Sequence, residues 1–467
     1  MNTSVAWQLT LALAAVLVIY VLASTTRRTV ALGALLIAIP FQIVDTRYGS
    51  ASVVMAYALA VILLLNGGLK VRMLPALGLI ALGYLVSMSQ ADRTLMSLHA
   101  IFIFQFFSSL VVFLLAYNFA RLVDSERSVV DVLLVINVLT LVYCALQLTA
   151  GPGERFMPFG VKEFEFNLNR VAEDARLVGP FDNPGSTAGY FTLMIMVCAM
   201  DMMFAQGRRR TAVQVLIILN LIGLVATGNR AGFLTLVAMF PVLLFSFKRE
   251  LGTQRVTRYL VGGIAVLVLA SAVAISYTGF GRMFERLENV TETQDGVPTT
   301  RALTWPVAIE KIKQRPWVGE GPFFVNPESG QNLGMLPDEV DPYPHSLYLY
   351  LLRTIGILGL VPILWFFLQS WRVLYRSQRG AGNSSYTSAI LRVGMLLIPA
   401  FLVAQVTLEF NRPTTIDYAQ FIFALLGLLV GVADRSSQVA PAGLSAPQKS
   451  AMDWRPTSAI GPSVDRR

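Results

Sequence analysis

The sequence predicts an all-α polytopic membrane protein. Hydrophobic residues make up 55% of its 467 residues and charged residues only 14%, whereas charged residues are roughly a quarter of a soluble domain. Apolar runs of about 17 to 25 residues recur along the chain, and each is long enough to cross a bilayer as a helix. A membrane β-barrel would need short segments of alternating polarity, and the sequence has no such pattern.

The apolar runs predict about 12 to 13 membrane-spanning helices. The first run has no basic segment before it, so it is predicted to be a span and not a cleaved signal peptide. The run at 30–44 is short and contains Pro40. The predicted spans cover residues 5–24, 30–44, 51–67, 73–90, 97–120, 128–150, 185–204, 211–227, 231–247, 259–280, 346–370, 388–409 and 416–433.

Basic residues in the connections between spans predict the orientation in the membrane. Connections on one side carry two to four arginines or lysines, as at Arg208, Arg209 and Arg210, and the short connections on the other side carry one each, as at Arg230. The richer side is predicted to be cytoplasmic. An odd number of spans then places the N-terminus outside.

This orientation divides the chain into one transmembrane domain and a tail. The domain covers residues 1–433 and has two periplasmic segments, residues 151–184 and 281–345. Residues 434–467 are rich in Ser, Pro and Ala, which predicts a disordered cytoplasmic tail.

Several classes of chemistry are not indicated by the sequence. The net charge is +9, but the basic residues lie in short connections between spans, so nucleic acid is not a predicted partner. Cys144 and Cys198 fall inside apolar runs, which predicts buried packing. The sequence has neither a His/Cys cluster with zinc spacing nor a GxxxxGK[ST] phosphate loop. We therefore predict no metal site and no cofactor.

The second periplasmic segment is predicted to contain a short amphipathic helix on the membrane surface. Thr304 and Pro306 suit a helix start, and Trp305 begins an apolar repeat of helical spacing that ends before Pro316. Arg301 is predicted to stand just before this helix. Either it is a solvated loop arginine, or its charge serves a substrate.

Arg230 lies between two apolar runs on the predicted outer side, where positive charge is sparse. Gly228 and Gly232 flank it, which allows a backbone or a ligand to come close. An arginine at the membrane edge can simply extend to the lipid headgroups. It is also a functional candidate when it lies at the mouth of a helix bundle.

The first periplasmic segment contains Arg170 and Arg176 beside acidic residues, so ordinary ion pairing is one reading of them. The stretch GPFDNPGS, residues 179–186, predicts a turn before the next helix, with Asp182 or Asn183 as its cap.

His345 follows Tyr343 and Pro344 at the predicted start of a span. A helix N-terminus offers free N–H groups and a positive dipole end, which favour a bound anion and a neutral imidazole. A hydrogen-bonded interface histidine is the alternative. The only other histidine, His99, lies in an apolar run, and we expect no partner for it in the periplasmic segments.

Four stretches together resemble the bacterial O-antigen ligase and O-antigen polymerase superfamily. GNRAGFL (228–234) is similar to its Arg-x-x-x-Leu signature. RALTWPVAIEKIKQRPWVGEGPFFV (301–325) resembles an arginine, a tryptophan and an amphipathic helix followed by Pro-x-x-Gly-x-Gly-Pro. HSLYLYLLRTIGILGLV (345–361) resembles a histidine-led helix with Gly-x-x-Gly-Leu at its end, and LVGPFDNPGSTAGYF (177–191) is similar to a further family stretch.

The resemblance implies a GT-C-like membrane glycosyltransferase that works without metal or nucleotide. Its donor would be a glycan on a polyprenyl diphosphate, such as undecaprenyl diphosphate, at the periplasmic face of the bacterial inner membrane. Arg230 and Arg301 would stabilise the leaving diphosphate, and His345 would be the general base or would orient the diphosphate. Further candidates for substrate binding are Arg176, Arg170, Trp305 and Tyr343.

Two departures from the family pattern leave the reaction open. Asn229 and Ala231 replace the more usual small residues around the arginine, and about thirteen spans exceed the twelve or so of typical ligases. We expect a polymerase of exopolysaccharide or O-antigen repeat units. The alternatives are a ligase that transfers glycan to lipid A-core or another acceptor, and a lipid-linked glycan flippase. Expected partners are the lipid-linked donor, a glycan or lipid-linked acceptor, the bilayer and other polysaccharide-assembly proteins.

Overall fold

The part of the chain that the structure describes folds almost entirely into helices. The computed structural model describes residues 28–41, 45–46, 49–150, 177–181, 183–254, 256–259, 261–263, 265, 301–322, 344–380, 386–406 and 416–439. Within them, the strands are β1 (Asp45–Thr46) and β2 (Gly49–Ser50), which pair antiparallel as a short hairpin. This arrangement confirms the predicted all-α polytopic membrane fold.

Thirteen α-helices are described along the chain. They are α1 (Arg28–Ala38), α2 (Ala51–Leu65), α3 (Leu74–Met88), α4 (Met96–Leu122), α5 (Glu126–Ala150), α6 (Pro184–Phe204), α7 (Gly207–Ala226), α8 (Arg230–Ser246), α9 (Lys248–Leu251), α10 (Arg301–Gln314), α11 (Leu347–Gly380), α12 (Tyr386–Ala404) and α13 (Ile416–Val439). Within the described residues, 7 helices are long and apolar enough to cross a membrane, and four shorter apolar helices accompany them.

Eleven of the predicted spans coincide with helices α1 to α8 and α11 to α13, to within a few residues at most ends. The span predicted at 5–24 and most of the one at 259–280 lie outside the described residues. Helix α13 continues to Val439, beyond the predicted start of the tail at 434. The extension has a physical reason, because Tyr117 donates a hydrogen bond to Asp434 at 2.8 Å, and Arg435 donates to backbone carbonyls after α4.

The core of the bundle is built around α13, whose most apolar stretch is entirely buried. It packs against α4 through two glycines. A Cβ added at Gly427 would lie 2.3 Å from the carbonyl oxygen of Phe113, and one at Gly431 would lie 2.6 Å from that of Tyr117. Small residues at such positions let two helix backbones approach closely, which is how membrane helices gain packing contacts.

One end of the bundle is held together by a buried carboxylate, Asp201, near the end of α6. Arg209 donates to it at 2.9 Å and also pairs with Asp131 at 2.8 Å. The hydroxyl of Tyr386 donates to the same carboxylate at 2.6 Å. A buried charge is tolerated only with such partners. Asp201, Arg209 and Tyr386 line a cavity of about 280 Å³, at the end of α6 opposite to Asn183.

Candidate active site

Helix α11 is broken two to three turns after His345, at Gly356. This glycine has φ 63° and ψ −168°, a backbone conformation that is essentially restricted to glycine. The break interrupts the helical ladder, so backbone groups on both sides of it need other partners. They find them in the loop that follows α10.

Residues 316–321 fill the break in α11 with four backbone hydrogen bonds. The N–H groups of Glu320 and Gly321 donate to the carbonyl oxygens of Arg353 and Thr354 at 2.9 and 3.1 Å. In the other direction, the N–H groups of Ile357 and Leu358 donate to the carbonyl oxygens of Pro316 and Trp317, also at 2.9 and 3.1 Å. The Pro-x-x-Gly-x-Gly-Pro and Gly-x-x-Gly-Leu stretches of the sequence are thus the two halves of one interlock.

The glycines of these stretches are required by the close approach of the two backbones. A Cβ added at Gly319 would lie 2.2 Å from the carbonyl oxygen of Thr354, and one at Gly356 would lie 2.3 Å from that of Trp317. Gly359 lies where α11 meets α3, because a Cβ added at Gly83 would be 2.8 Å from its Cα atom. Any larger residue would force the segments apart.

A buried arginine reinforces the interlock. Arg353 Nε donates to Glu320 at 2.9 Å, and Lys311 of α10 lies 3.6 Å from the other oxygen of the same carboxylate. The arginine side chain is only 2% exposed, so the ion pair is shielded from water and costly to break. It joins α10, the loop after it and α11.

Helix α10 begins at Arg301 and not at Thr304, so the predicted cap is wrong. Arg301 is its first residue, and Pro306 lies in its second turn, where a proline removes one backbone hydrogen bond but does not stop the helix. The helix ends at Gln314, before Pro316 as predicted. Thr304 and Ala308 are buried and face the protein, while Ile309 is 42% exposed.

Trp305 ties α10 to the turn that carries His345. Its indole nitrogen donates to the carbonyl oxygen of Pro344 at 2.8 Å. His345 itself has φ 48°, in the left-handed region that few residues other than glycine, asparagine and aspartate adopt. It precedes Ser346, whose carbonyl oxygen accepts the first helical bond, from Tyr350.

The end of α12 contacts the start of α11 on the side away from α10. The N–H of Leu347 donates to the carbonyl oxygen of Gln405 at 3.0 Å, and the hydroxyl of Tyr348 donates to that of Leu402 at 2.6 Å. One of the helix-start N–H groups expected to serve an anion is therefore already used within the protein. The turn at His345 lies between α10 and α12.

Arg230 is the first residue of α8, after a tight turn at the end of α7. Gly228 has φ 60°, and the side chain of Asn229 caps the helix by accepting from the N–H of Gly232 at 3.0 Å. A Cβ added at Gly232 would lie 2.8 Å from the Cβ of Ala188. This glycine therefore serves the packing of α8 on α6.

The stretch before α6 reaches the same end of the bundle. The N–H of Leu177 donates to the carbonyl oxygen of Ala226 at 3.0 Å, and that of Gly179 donates to the side chain of Gln147 at 2.9 Å. Asn183 caps α6 by accepting hydrogen bonds from two backbone N–H groups. It is one of the two residues that the sequence predicts as this cap. The stretch thereby packs beside the turn that leads to Arg230.

Helices α8 and α12 run antiparallel, which relates Arg230 to His345. Arg392 in α12 donates to the carbonyl oxygen of Ser246 and to Glu250 at 2.7 Å, at the other end of α8. The first residue of α8 consequently lies at the same end of the bundle as Gln405, which contacts the turn at His345.

The structure thus brings together the backbones of three predicted catalytic residues at one end of the bundle. Arg230 and Arg301 are described there as the first residues of their helices, while their side chains are not described. The predicted substrate-binding residues Arg170, Arg176 and Tyr343 lie outside the described residues.

His99 corrects a sequence-based expectation, because it does meet a segment that the sequence predicts to be periplasmic. It is 2% exposed near the start of α4, and a Cβ added at Gly321 would lie 3.0 Å from its Cε1 atom. Asp92 precedes it, and hydrogen bonds from the N–H and hydroxyl of Thr94 lower the pKa of that carboxylate. The GEGP stretch is part of the family resemblance, but its partner in space could not be read from the sequence.

Comparison with known families bears directly on these elements. Residues 215–364 match the family model described as O-antigen ligase. Over residues 215–364 the chain is similar to the O-antigen ligase family. The matched residues include the turn before Arg230, helix α10, the interlock and the first half of α11, so the matched region coincides with the candidate site. A search of curated proteins found no match.

The match confirms the resemblance to the O-antigen ligase and polymerase superfamily over these residues. It supports a membrane glycosyltransferase of the O-antigen ligase or polymerase type. Helices α1 to α6 and α12 to α13 lie outside the matched residues, and of these α3, α6, α12 and α13 pack directly against matched helices.

Proposed function

We propose that the protein transfers a glycan from a polyprenyl diphosphate to an acceptor hydroxyl at the periplasmic face of a bacterial inner membrane. The hydroxyl oxygen attacks the anomeric carbon of the donor, and the bond from that carbon to the diphosphate breaks. The polyprenyl diphosphate leaves and keeps the electron pair of that bond. The acceptor proton passes to a base, and His345 fills that role in the proposal.

The residues at this end of the bundle suit such a reaction. Diphosphate is a good leaving group, so the main demand is to stabilise its developing charge. Arginine does this with a planar fork of donors that matches phosphate oxygens. Arg230 and Arg301 fill that role in the proposal, and no step depends on a metal.

The observation that carries the proposal is the double attachment of α10 to α11. The interlock holds the end of α10 through backbone bonds to α11, and Trp305 holds its second turn to Pro344 at 2.8 Å. Arg301 starts that helix, so its backbone has a fixed relation to the turn at His345. Fixed geometry between a base and a charge-stabilising residue is what catalysis of group transfer needs.

We favour polymerisation of repeat units into exopolysaccharide or O-antigen as the reaction. Donor and acceptor are then both lipid-linked glycans, and the two long periplasmic segments predicted from the sequence would hold a growing chain and an incoming unit. The chain is also longer than many ligases and is predicted to carry an additional span.

Transfer to lipid A-core or another acceptor is the second candidate, because the matched family model is described as O-antigen ligase. A ligase needs a surface for an acidic, lipid-embedded acceptor, and the basic residues of α10 could provide it. Lys311 and Lys313, however, lie 3.6 and 3.4 Å from glutamate oxygens of the same chain. Their charge is partly neutralised, so this surface is a weaker argument for a ligase than the sequence indicates.

Purified protein in liposomes would separate the candidates. We expect a lipid-linked repeat unit, given alone, to be converted into a ladder of longer lipid-linked chains. Product formed only when lipid A-core is added would establish the ligase instead. Movement of the lipid-linked glycan across the bilayer with no new glycosidic bond would reject both and identify a flippase.

Gene deletion gives the matching result in cells. Loss of a polymerase should leave single repeat units on the carrier or acceptor. Accumulation of long lipid-linked chains would reject polymerisation and favour the ligase.

A further inference from the structure

Three glutamines are buried in the described part of the bundle, and two of them have an evident structural role. Gln420 accepts a hydrogen bond from Ser52 at 2.8 Å and donates one to Ser108 at 2.6 Å. Gln147 accepts from the backbone N–H of Gly179 at 2.9 Å. Each therefore joins two or more segments of the chain, as buried amides in membrane proteins commonly do.

Gln405 is the exception. Gln405 is 0% exposed. Among the described residues, neither its amide nitrogen nor its amide oxygen has a hydrogen-bond partner. A buried amide without partners is strongly unfavourable, since both its donor and its acceptor have been removed from water. Among the described residues, the amide of Gln405 therefore adds no hydrogen bond that would stabilise the protein.

The position of Gln405 connects it to the candidate active site. Its carbonyl oxygen accepts from the N–H of Leu347 at 3.0 Å, two residues after His345. Gln405, whose amide lacks partners, thus contacts the turn at His345 from the side of α12.

Thr304 is a second buried polar residue without a hydrogen-bond partner, in the helix that contacts the same turn from the side of α10. It is 4% exposed, and its hydroxyl has no hydrogen-bond partner among the described residues. The next residue, Trp305, donates to the carbonyl oxygen of Pro344. Pro344 and Leu347 are three residues apart, so their Cα atoms are at most about 11 Å from each other. Two residues with unsatisfied neutral polar groups therefore belong to the segments that contact the turn at His345 from its two sides.

We propose that Gln405 and Thr304 bind hydroxyl groups of the sugar next to the reacting bond and so help determine which glycan is accepted. An amide offers a donor and an acceptor, and a threonine hydroxyl offers both, which matches the mixed character of sugar hydroxyls. Neither group carries charge, so they suit the sugar and not the diphosphate. This inference rests on the proposed transfer of lipid-linked glycan.

The test compares Gln405→Leu and Thr304→Val, which remove the polar atoms while nearly keeping the shape, with Gln420→Leu. Binding would be measured as the rise in melting temperature with a lipid-linked glycan, and separately with polyprenyl diphosphate that carries no sugar. Without ligand, we expect Gln405→Leu and Thr304→Val to be at least as stable as the unchanged protein, because the removed polar atoms are buried and have no hydrogen-bond partner among the described residues. Gln420→Leu should be clearly less stable.

With ligand, we expect Gln405→Leu to bind the lipid-linked glycan about tenfold or more weakly, because a site built to hydrogen-bond a hydroxyl discriminates strongly. Binding of the sugar-free diphosphate should not change. The KM for the glycan should rise more than kcat falls. Equal weakening for both ligands, no weakening for either, or a loss of stability in the ligand-free Gln405→Leu protein would overturn the sugar site.

The outcomes also separate this inference from the proposed function. If the unchanged protein binds the lipid-linked glycan but forms no product, the transferase proposal fails, while weaker glycan binding by Gln405→Leu still supports the sugar site. If the unchanged protein does not bind lipid-linked glycan, both proposals are rejected.

Discussion

The indole nitrogen of Trp305 donates a 2.8 Å hydrogen bond to the carbonyl oxygen of Pro344, the residue before His345. The bond joins the helix that begins at Arg301 to a turn whose histidine adopts a left-handed conformation, with φ 48°. A side chain selected from the sequence as a substrate contact is therefore also a brace for the candidate base.

Trp305→Phe keeps most of the ring but removes this hydrogen bond. We expect the protein to stay folded and glycan transfer to fall about fivefold, since a hydrogen bond of this kind contributes about 1 kcal/mol. The measurement is turnover of lipid-linked glycan per folded molecule. Trp317→Phe is the control, because Trp317 is 62% exposed and should tolerate the change. Equal activity of the two variants would show that the brace is dispensable.

The interlock predicts that Gly356 cannot be replaced. A Cβ on Gly356 would lie 2.3 Å from the carbonyl oxygen of Trp317, and its backbone conformation costs a non-glycine residue about 1 to 3 kcal/mol even without the clash. We expect Gly356→Ala to melt at a clearly lower temperature and to yield little monodisperse protein.

Gly78→Ala provides the matched control for this prediction. Gly78 lies inside α3, and a Cβ added there meets no atom within 4 Å. Alanine favours a helix over glycine by about 1 kcal/mol, so this variant should be at least as stable as the unchanged protein. A Gly356→Ala protein with unchanged melting would mean that the break in α11 is not needed for folding.

The proposed arginine clamp predicts that charge alone is insufficient. Arg230→Lys and Arg301→Lys keep the positive charge but lose the planar fork. We expect each to lower turnover about 100-fold, as removal of one donor to a developing oxyanion does. Arg249→Lys, in the short helix α9 after the far end of α8, should turn over normally. An active, normally expressed Lys variant at either site would remove that residue from the clamp.

Helix positions could be predicted from the sequence because bilayer thickness fixes the length of an apolar run. Eleven predicted spans coincide with helices for that reason. The start of α10 was predicted wrongly, because proline is compatible with the first turn but is not confined to it. Pro306 is accepted in the second turn, and Arg301 is inside the helix.

The interlock could not be predicted, although its glycines were recognised in the sequence. A glycine indicates that something comes close, but it does not identify the partner. The bonds between residues 316–321 and the break at Gly356 join segments that are distant along the chain. The contact of His99 with Gly321 was missed for the same reason, and the unsatisfied amide of Gln405 is visible only when its neighbours in space are known.

The orientation remains a prediction, and reporter fusions would test it. The excess of basic residues in one set of connections predicts that residues near 165 and 295 are periplasmic and that residues near 440 are cytoplasmic. An alkaline phosphatase reporter should be active at the first two positions and inactive at the third. Finding residue 295 in the cytoplasm would contradict the proposed active site, because α10 follows it directly.

The two histidines should respond to substitution in different ways. His345→Ala should abolish transfer in an inserted, folded protein, and His345→Asn is the cleaner variant because asparagine tolerates the left-handed conformation. We expect the Asn variant to melt like the unchanged protein and to lose about 100-fold or more in turnover, the usual contribution of a general base.

His99→Ala is predicted to act on stability and not on the reaction. His99 is 2% exposed against Gly321, and emptying such a site costs on the order of 2 kcal/mol or more. We therefore expect a lower melting temperature but nearly normal turnover per folded molecule. The two effects are separated by measuring melting and turnover on the same preparations. If His345→Asn lost stability and His99→Ala lost turnover in its folded fraction, the base would have to be reassigned to the histidine at the interlock.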